Sequence, residues 1–185
     1  MSAQLMWYTA RAGGLVAWGL LVGSMVWGLL MSTKLARKMA RPNWMLDLHR
    51  FLGGTAVVFT GIHVASIVLD SYVHFGWADV LVPFASSWHP VAVAWGIVGF
   101  YCLLTVEITS LLRKKLSKRL WRATHYLSFP LFASATVHAM TAGTDRRNLL
   151  VLTAVVVCTT LVLLLTFVRV NQVPEDKPAR IPARV

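Results

Sequence analysis

The sequence predicts an all-α fold, a polytopic transmembrane bundle of about five helices, with the N-terminus outside and the C-terminus in the cytoplasm. Three observations predict it. Hydrophobic residues make up 57% of the 185 positions and charged residues only 14%, a balance far from that of a soluble globule. The apolar residues fall into runs long enough to cross ~30 Å of hydrocarbon at ~1.5 Å per residue. The Lys and Arg residues cluster between those runs. A net charge of +11 would suggest nucleic acid for a soluble chain. Here its placement makes it topogenic charge, so the expected surroundings are membrane lipid, with no nucleic-acid partner.

The runs are Gly13–Met31, Phe51–Leu69, Val91–Leu112, Ala123–Thr141 and Leu149–Val168, the second reaching back toward Leu46. Inside hydrocarbon a chain must satisfy its backbone internally, so each run reads as a helix. The first has one Arg before it and no small-residue cleavage site, so it is not read as a signal peptide. Lys34, Arg37, Lys38 and Arg41 follow it, between Thr33 and Trp44, as a stop signal. Gly19 and Gly23 within it form a GxxxG, a weak motif for close helix contact. All Lys and Arg residues except Arg11, Arg146 and Arg147 lie in the first and third loops, at the edge positions Arg50 and Arg122, or in the C-terminal tail. This bias sets those segments on the cytoplasmic side of a plasma (inner) membrane.

The opposite loop, Ser71–His89, has no Lys or Arg but carries Tyr72, Phe75, Trp77, Phe84 and Trp88, an interfacial aromatic belt or a small cap. His74 and His89 in it read as solvated loop residues. Residues 1–170 are expected to form one domain. Residues 171–185, with Pro174, Pro178 and Pro182, are expected to be a disordered tail. Cys102 and Cys158 sit inside apolar runs with no CxxC and read as small packing residues. Glu107 either pairs with a basic residue at the cytoplasmic edge, near Arg113, or carries a proton that accompanies an electron. Asp47 reads as an interfacial or capping group.

Four of the six histidines lie in the predicted helices, as two pairs. His49 and His63 are 14 residues apart on the second helix, and His125 and His138 are 13 apart on the fourth. Each spacing is a rise of roughly 20 Å. The two helices run in the same direction, so His49 shares the cytoplasmic level with His125, and His63 shares the outer level with His138. Ionisable groups inside a bilayer are costly and functional by default. Two histidines per level cannot supply the three or four ligands of a bare metal site. They do suit heme, whose porphyrin supplies four nitrogens and leaves two axial positions to the protein. Gly53 and Gly61 flank the ligands of the second helix and leave room for a ring. Arg50 and Arg122 beside the cytoplasmic pair, and Arg146 and Arg147 after the outer pair, suit the propionates. At 100° per residue, a spacing of 14 leaves two side chains ~40° apart and a spacing of 13 leaves them ~140° apart. Pro130, between His125 and His138, is therefore expected to distort the fourth helix.

At these residues the sequence resembles the ferric-reductase-like transmembrane family, which includes ferric reductases, NADPH oxidases and the heme subunit of the bacterial methionine sulfoxide repair system. The resemblance spans about residues 15–168. It is carried by LHRFLGGTAVVFTGIHVASIVLD and LWRATHYLSFPLFASATVHAMTAGTD, with the 14- and 13-residue histidine spacings its most specific part. It implies that His49, His63, His125 and His138 are the axial ligands of two b-type hemes, with electrons passing from the cytoplasmic heme to the outer one. Two departures bear on partners. No soluble segment carries a nucleotide motif, and five helices are counted where many relatives have six. The implied donor is therefore a cytoplasmic flavoprotein reductase or a membrane quinol, and the acceptor at the outer face is unidentified.

Three functions follow as expectations. The first is the electron-transferring membrane component of an oxidoreductase, with no catalytic side chain of its own and with bis-histidine iron closed to direct O₂ binding. The second is a cytochrome b anchor subunit fed by quinol. The third is a small transporter or scaffold without cofactor, which explains the helices but leaves the paired depths unexplained.

Overall fold

Every N–H and C=O in hydrocarbon must find its partner within the chain, and the computed structural model meets that demand with helices alone. It describes residues 3–33, 42–71 and 74–172, among which no strand occurs. The order is α1 (Ala3–Ser32), α2 (Pro42–Val68), a short α3 (Trp77–Leu81), α4 (Pro90–Leu111), α5 (Lys118–His125), α6 (Ser128–Thr141), a 3₁₀ turn (Thr144–Arg147) and α7 (Leu149–Asn171). Among the described residues α1, α2, α4 and α7 are long and apolar enough to cross a membrane. The protein is a multi-pass membrane protein. The basic stop segment, Tyr72 and the proline-bearing tail lie outside the described residues.

Helix starts follow local chemistry. Pro42 opens α2 and Pro90 opens α4, positions where the missing N–H costs nothing. The Ser117 hydroxyl accepts from the Leu120 N–H at the start of α5, and Asn148 Oδ1 accepts from the Leu150 N–H at 2.9 Å at the start of α7. Helix α1 begins ten residues before the expected run. Arg11 lies over the Trp7 ring, 5.1 Å from its centroid, and forms a bidentate ion pair with Asp145, which clips α1 to the turn between α6 and α7.

The fourth expected helix is broken. Pro130 cannot donate to the Tyr126 carbonyl, and its ring crowds that carbonyl. Phe129 N–H donates to Tyr126 O instead, and Leu127 N–H to Thr124 O, both three-residue steps. The chain passes through Tyr126 and Leu127 with ψ near −15° and −11°, values of a 3₁₀ turn. The distortion expected from Pro130 is present, a turn N-terminal to the ring. At ~120° per residue instead of ~100°, the tight steps rotate His138 toward the side of His125.

Helix α1 is the hub. It packs most extensively along α2 and also meets α6 and α7, while α4 packs on α6. The core gathers Val22, Met25 and Leu29 of α1, Phe132 of α6, and Val162 and Leu165 of α7. The opposite side of α7 presents Leu163, Leu164, Phe167 and Val170 outward, a face suited to acyl chains. Between α2 and α4 the aromatic residues form a small cap. Phe75 meets Trp88 at 5.9 Å, Trp88 meets His89 at 4.6 Å, and the Tyr101 hydroxyl donates to Leu81 O at 2.7 Å. Trp77 and Phe84 of the same loop remain exposed. The GxxxG of α1 makes no close helix contact, for Gly19 faces open space and Gly23 meets only the methyl groups of Leu52.

Candidate functional site

The two histidine pairs assemble at two levels of the bundle. The rings of His49 and His125 are 6.0 Å apart between centroids and inclined by 70°. Those of His63 and His138 are 6.2 Å apart and inclined by 77°. All four side chains are half-buried. The fourteen-residue spacing along α2 puts roughly 20 Å between the levels.

Three of the four imidazoles are held in the same way. His63 Nδ1 lies 2.6 Å from Ala10 O and His138 Nδ1 lies 2.8 Å from Ala92 O. His49 Nδ1 lies 3.1 Å from Ser24 O and 3.2 Å from the Ser24 hydroxyl. A carbonyl only accepts, so each Nδ1 carries the proton and donates it. Each Nε2 is left with its lone pair, the form in which imidazole binds a metal.

A glycine stands four residues after each of those carbonyls. A Cβ built on Gly14 would lie 2.9 Å from His63 Nδ1, one on Gly28 would lie 3.2 Å from His49 Cε1, and one on Gly96 would lie 2.8 Å from His138 Nδ1. The carbonyl of residue i in a helix already accepts from the N–H of i+4. A bare Cα at i+4 exposes that oxygen to a second donor, so the glycines are seats for the rings. Sequence reasoning passed over them in favour of Gly53 and Gly61. Gly53 instead faces the Glu107 carboxylate, and Gly61 faces open space. A signal existed: Gly14 and Gly28 are 14 residues apart, as are His49 and His63.

His125 differs. Its Nδ1 is buried with no hydrogen-bond partner among the described residues. The Trp121 ring stacks on it at 5.2 Å and 26°, and Arg113 lies over Trp121 at 4.5 Å from the ring centroid. Arg113 and Arg169 both act electrostatically on His125, and neither was singled out from sequence as a neighbour of the pair. Of the two that were, Arg50 acts electrostatically on His49 and is exposed, 3.6 Å from Asp47, a contact worth little in water. Arg122 is exposed near Tyr126. Glu107 does not reach Arg113, and among the described residues no ion pair joins it. His74 and His89 adopt left-handed backbone conformations in the cap, with φ of 52° and 42°, and His89 lines a surface hollow with Ala92, whose carbonyl holds His138.

Among the described residues no cluster of three or more His, Cys, Asp or Glu side chains could hold a bare ion. The arrangement therefore offers two nitrogen lone pairs at each of two depths. The family model described as ferric reductase like transmembrane component matches residues 13–136. The matched stretch includes His49, His63 and His125 and ends two residues before His138. No curated protein and no solved structure matches the chain.

Proposed function

The chain belongs to the ferric reductase like transmembrane component family and is a component of a membrane oxidoreductase; from that premise we propose that it carries electrons across the bilayer by way of two b-type hemes. His49 and His125 hold one, and His63 and His138 hold the other. The observation that carries this reading is the pair of ring separations. Bonds of ~2.0–2.1 Å from each imidazole nitrogen to a shared metal ion bring the ring centres to about 6 Å apart, and the observed values are 6.0 and 6.2 Å. The donor set agrees, since three of the rings turn a protonated Nδ1 to a helix carbonyl and leave Nε2 to bind.

Each heme, when bound, supplies a one-electron iron couple. The chain's residues set the rest. The carbonyls of Ala10, Ser24 and Ala92 fix tautomer and ring orientation and raise ligand basicity. The helices hold the two levels at a constant separation, and the apolar exterior keeps water from the span. Arg50, Arg113, Arg122 and Arg169 surround the His49–His125 end and suit anionic propionates. By the distribution of basic residues that end is cytoplasmic and the N-terminus is outside; the membrane in this reading is the plasma (inner) membrane. Residues 1–170 form the electron-transferring unit. Its donor is a cytoplasmic flavoprotein reductase or a membrane quinol, and its acceptor lies at the outer face.

The test is a pyridine hemochrome assay with reduced-minus-oxidised spectra on detergent-purified chain. Two b-type hemes per chain with low-spin bands are expected. Absence of heme from cells well supplied with it would overturn the reading and leave a cofactor-free transporter or scaffold. Reduction by quinol analogues would select the quinol-fed variant over the flavoprotein-fed one.

A further inference from the structure

The helices that carry the ring seats pair in a constant antiparallel register. Gly14 faces His63 and Gly28 faces His49, so a step of 14 along α1 matches a step of 14 back along α2. Gly96 faces His138. A step of 13 along α4 leads from Gly96 to Thr109, and a step of 13 back leads from His138 to His125. The Thr124 hydroxyl, one residue before His125, donates to Thr109 Oγ1 at 3.2 Å and keeps α4 and α5 close to that register. Thr109 thus stands where the other three sites have glycine. Thr105 stands where they have the accepting carbonyl, and its oxygen takes the Thr109 hydroxyl at 2.7 Å. The fourth seat is filled and its carbonyl is capped.

Two further observations bear on His125. Its Nδ1 is buried without a partner among the described residues. It is also the last residue of α5, an eight-residue helix with no buried residue, beside the break at Tyr126 and Leu127. His49, His63 and His138 lie inside longer helices. An imidazole whose Nδ1–H meets an acceptor is the more basic ligand and is held in orientation. His125 lacks that hydrogen bond, and what orients its ring is the stacked Trp121.

We propose that His125 is an exchangeable ligand, so that the His49–His125 site binds a small neutral π-acceptor diatomic at its iron and the His63–His138 site does not. This rests on the heme reading above. In the exchange the bond from iron to His125 Nε2 breaks and the nitrogen keeps its lone pair. A lone pair of the diatomic forms the new bond, the imidazole proton stays in place, and no electron is gained or lost. Thr109 is a positioning residue in this scheme, acting by denying His125 its acceptor.

The experiment is a carbon monoxide titration of the full chain, purified in detergent and reduced with dithionite, read as CO-minus-reduced difference spectra beside heme content. CO is expected on one of the two hemes. Thr109→Gly opens the Thr105 carbonyl to His125 and is expected to weaken CO binding about 10-fold or more, with two hemes retained. Thr109→Ser keeps the capping hydroxyl and is expected to bind CO as the parent does. Two hemes both refractory to CO would overturn this proposal alone, as would undiminished CO binding in a Thr109→Gly chain that keeps both hemes. A chain without heme would overturn this proposal and the one beneath it.

Discussion

At the scale of single residues, the site depends on what three positions lack. Alanine favours a helix over glycine by ~1 kcal/mol, so Gly→Ala at positions 14, 28 and 96 ought to help α1 and α4 if helix propensity were all that mattered. The added methyl would instead meet an imidazole at 2.8–3.2 Å, and the ring must move off its carbonyl. Gly96→Ala and Gly14→Ala are therefore expected to lower heme content toward one per chain, with the His49–His125 heme retained. Gly28→Ala, where the approach is looser, is expected to act more weakly on the other level. Hemochrome content of the three variants checks the order, and full loading in all three would remove the glycines from the site. The histidines themselves were legible in the sequence, because depth in a membrane follows from residue count along a helix. Their hydrogen-bond partners were not, because a carbonyl carries no sign of its use in the residue that bears it.

At the scale of elements, Pro130 sets the geometry of the fourth span. Its missing N–H leaves Tyr126 O to Phe129 and splits the span into α5 and α6. Pro130→Ala restores the donor and relieves the ring clash, changes that ordinarily stabilise a helix interior by ~3 kcal/mol. Here the straightened helix would return to ~140° between His125 and His138. The expected outcome is a chain of equal or higher helicity by circular dichroism that has lost at least one heme. Two hemes with unchanged bands would show that the break is incidental. The Arg11–Asp145 pair joins α1 to the turn after α6, one residue beyond the Ala10 carbonyl that holds His63. Asp145→Asn is expected to lower the thermal midpoint in detergent. Exchanging the two charges is expected to recover part of the loss, which a purely local effect of Asn would not allow. The extent of the runs was readable from composition, whereas the length added to α1 was not, since it comes from Trp7, Arg11 and Asp145 meeting across the fold.

At the scale of the whole molecule, the charge distribution predicts which way the bundle sits. Single cysteines placed at Ser87, in the cap, and at Ser117, before α5, report on the two faces. A membrane-impermeant maleimide added to intact cells is expected to label the first and spare the second until the membrane is opened. The reverse pattern would invert the assigned orientation and with it the direction of electron flow. Cys102 and Cys158, inside α4 and α7, are expected to stay unlabelled in the parent chain.

Residue order alone carried the class of the protein, its spans and the pairing of four histidines at two depths. The reason is that a bilayer is a solvent with one thickness and no hydrogen bonds to offer, so run length and residue count translate directly into span and depth. The fold in three dimensions set which carbonyl each ring meets, which glycines admit it, where the fourth span breaks, and why His125 stands apart. Those outcomes depend on the register between helices far apart in the chain. Register is settled by packing one surface against another, a relation that neither surface carries by itself.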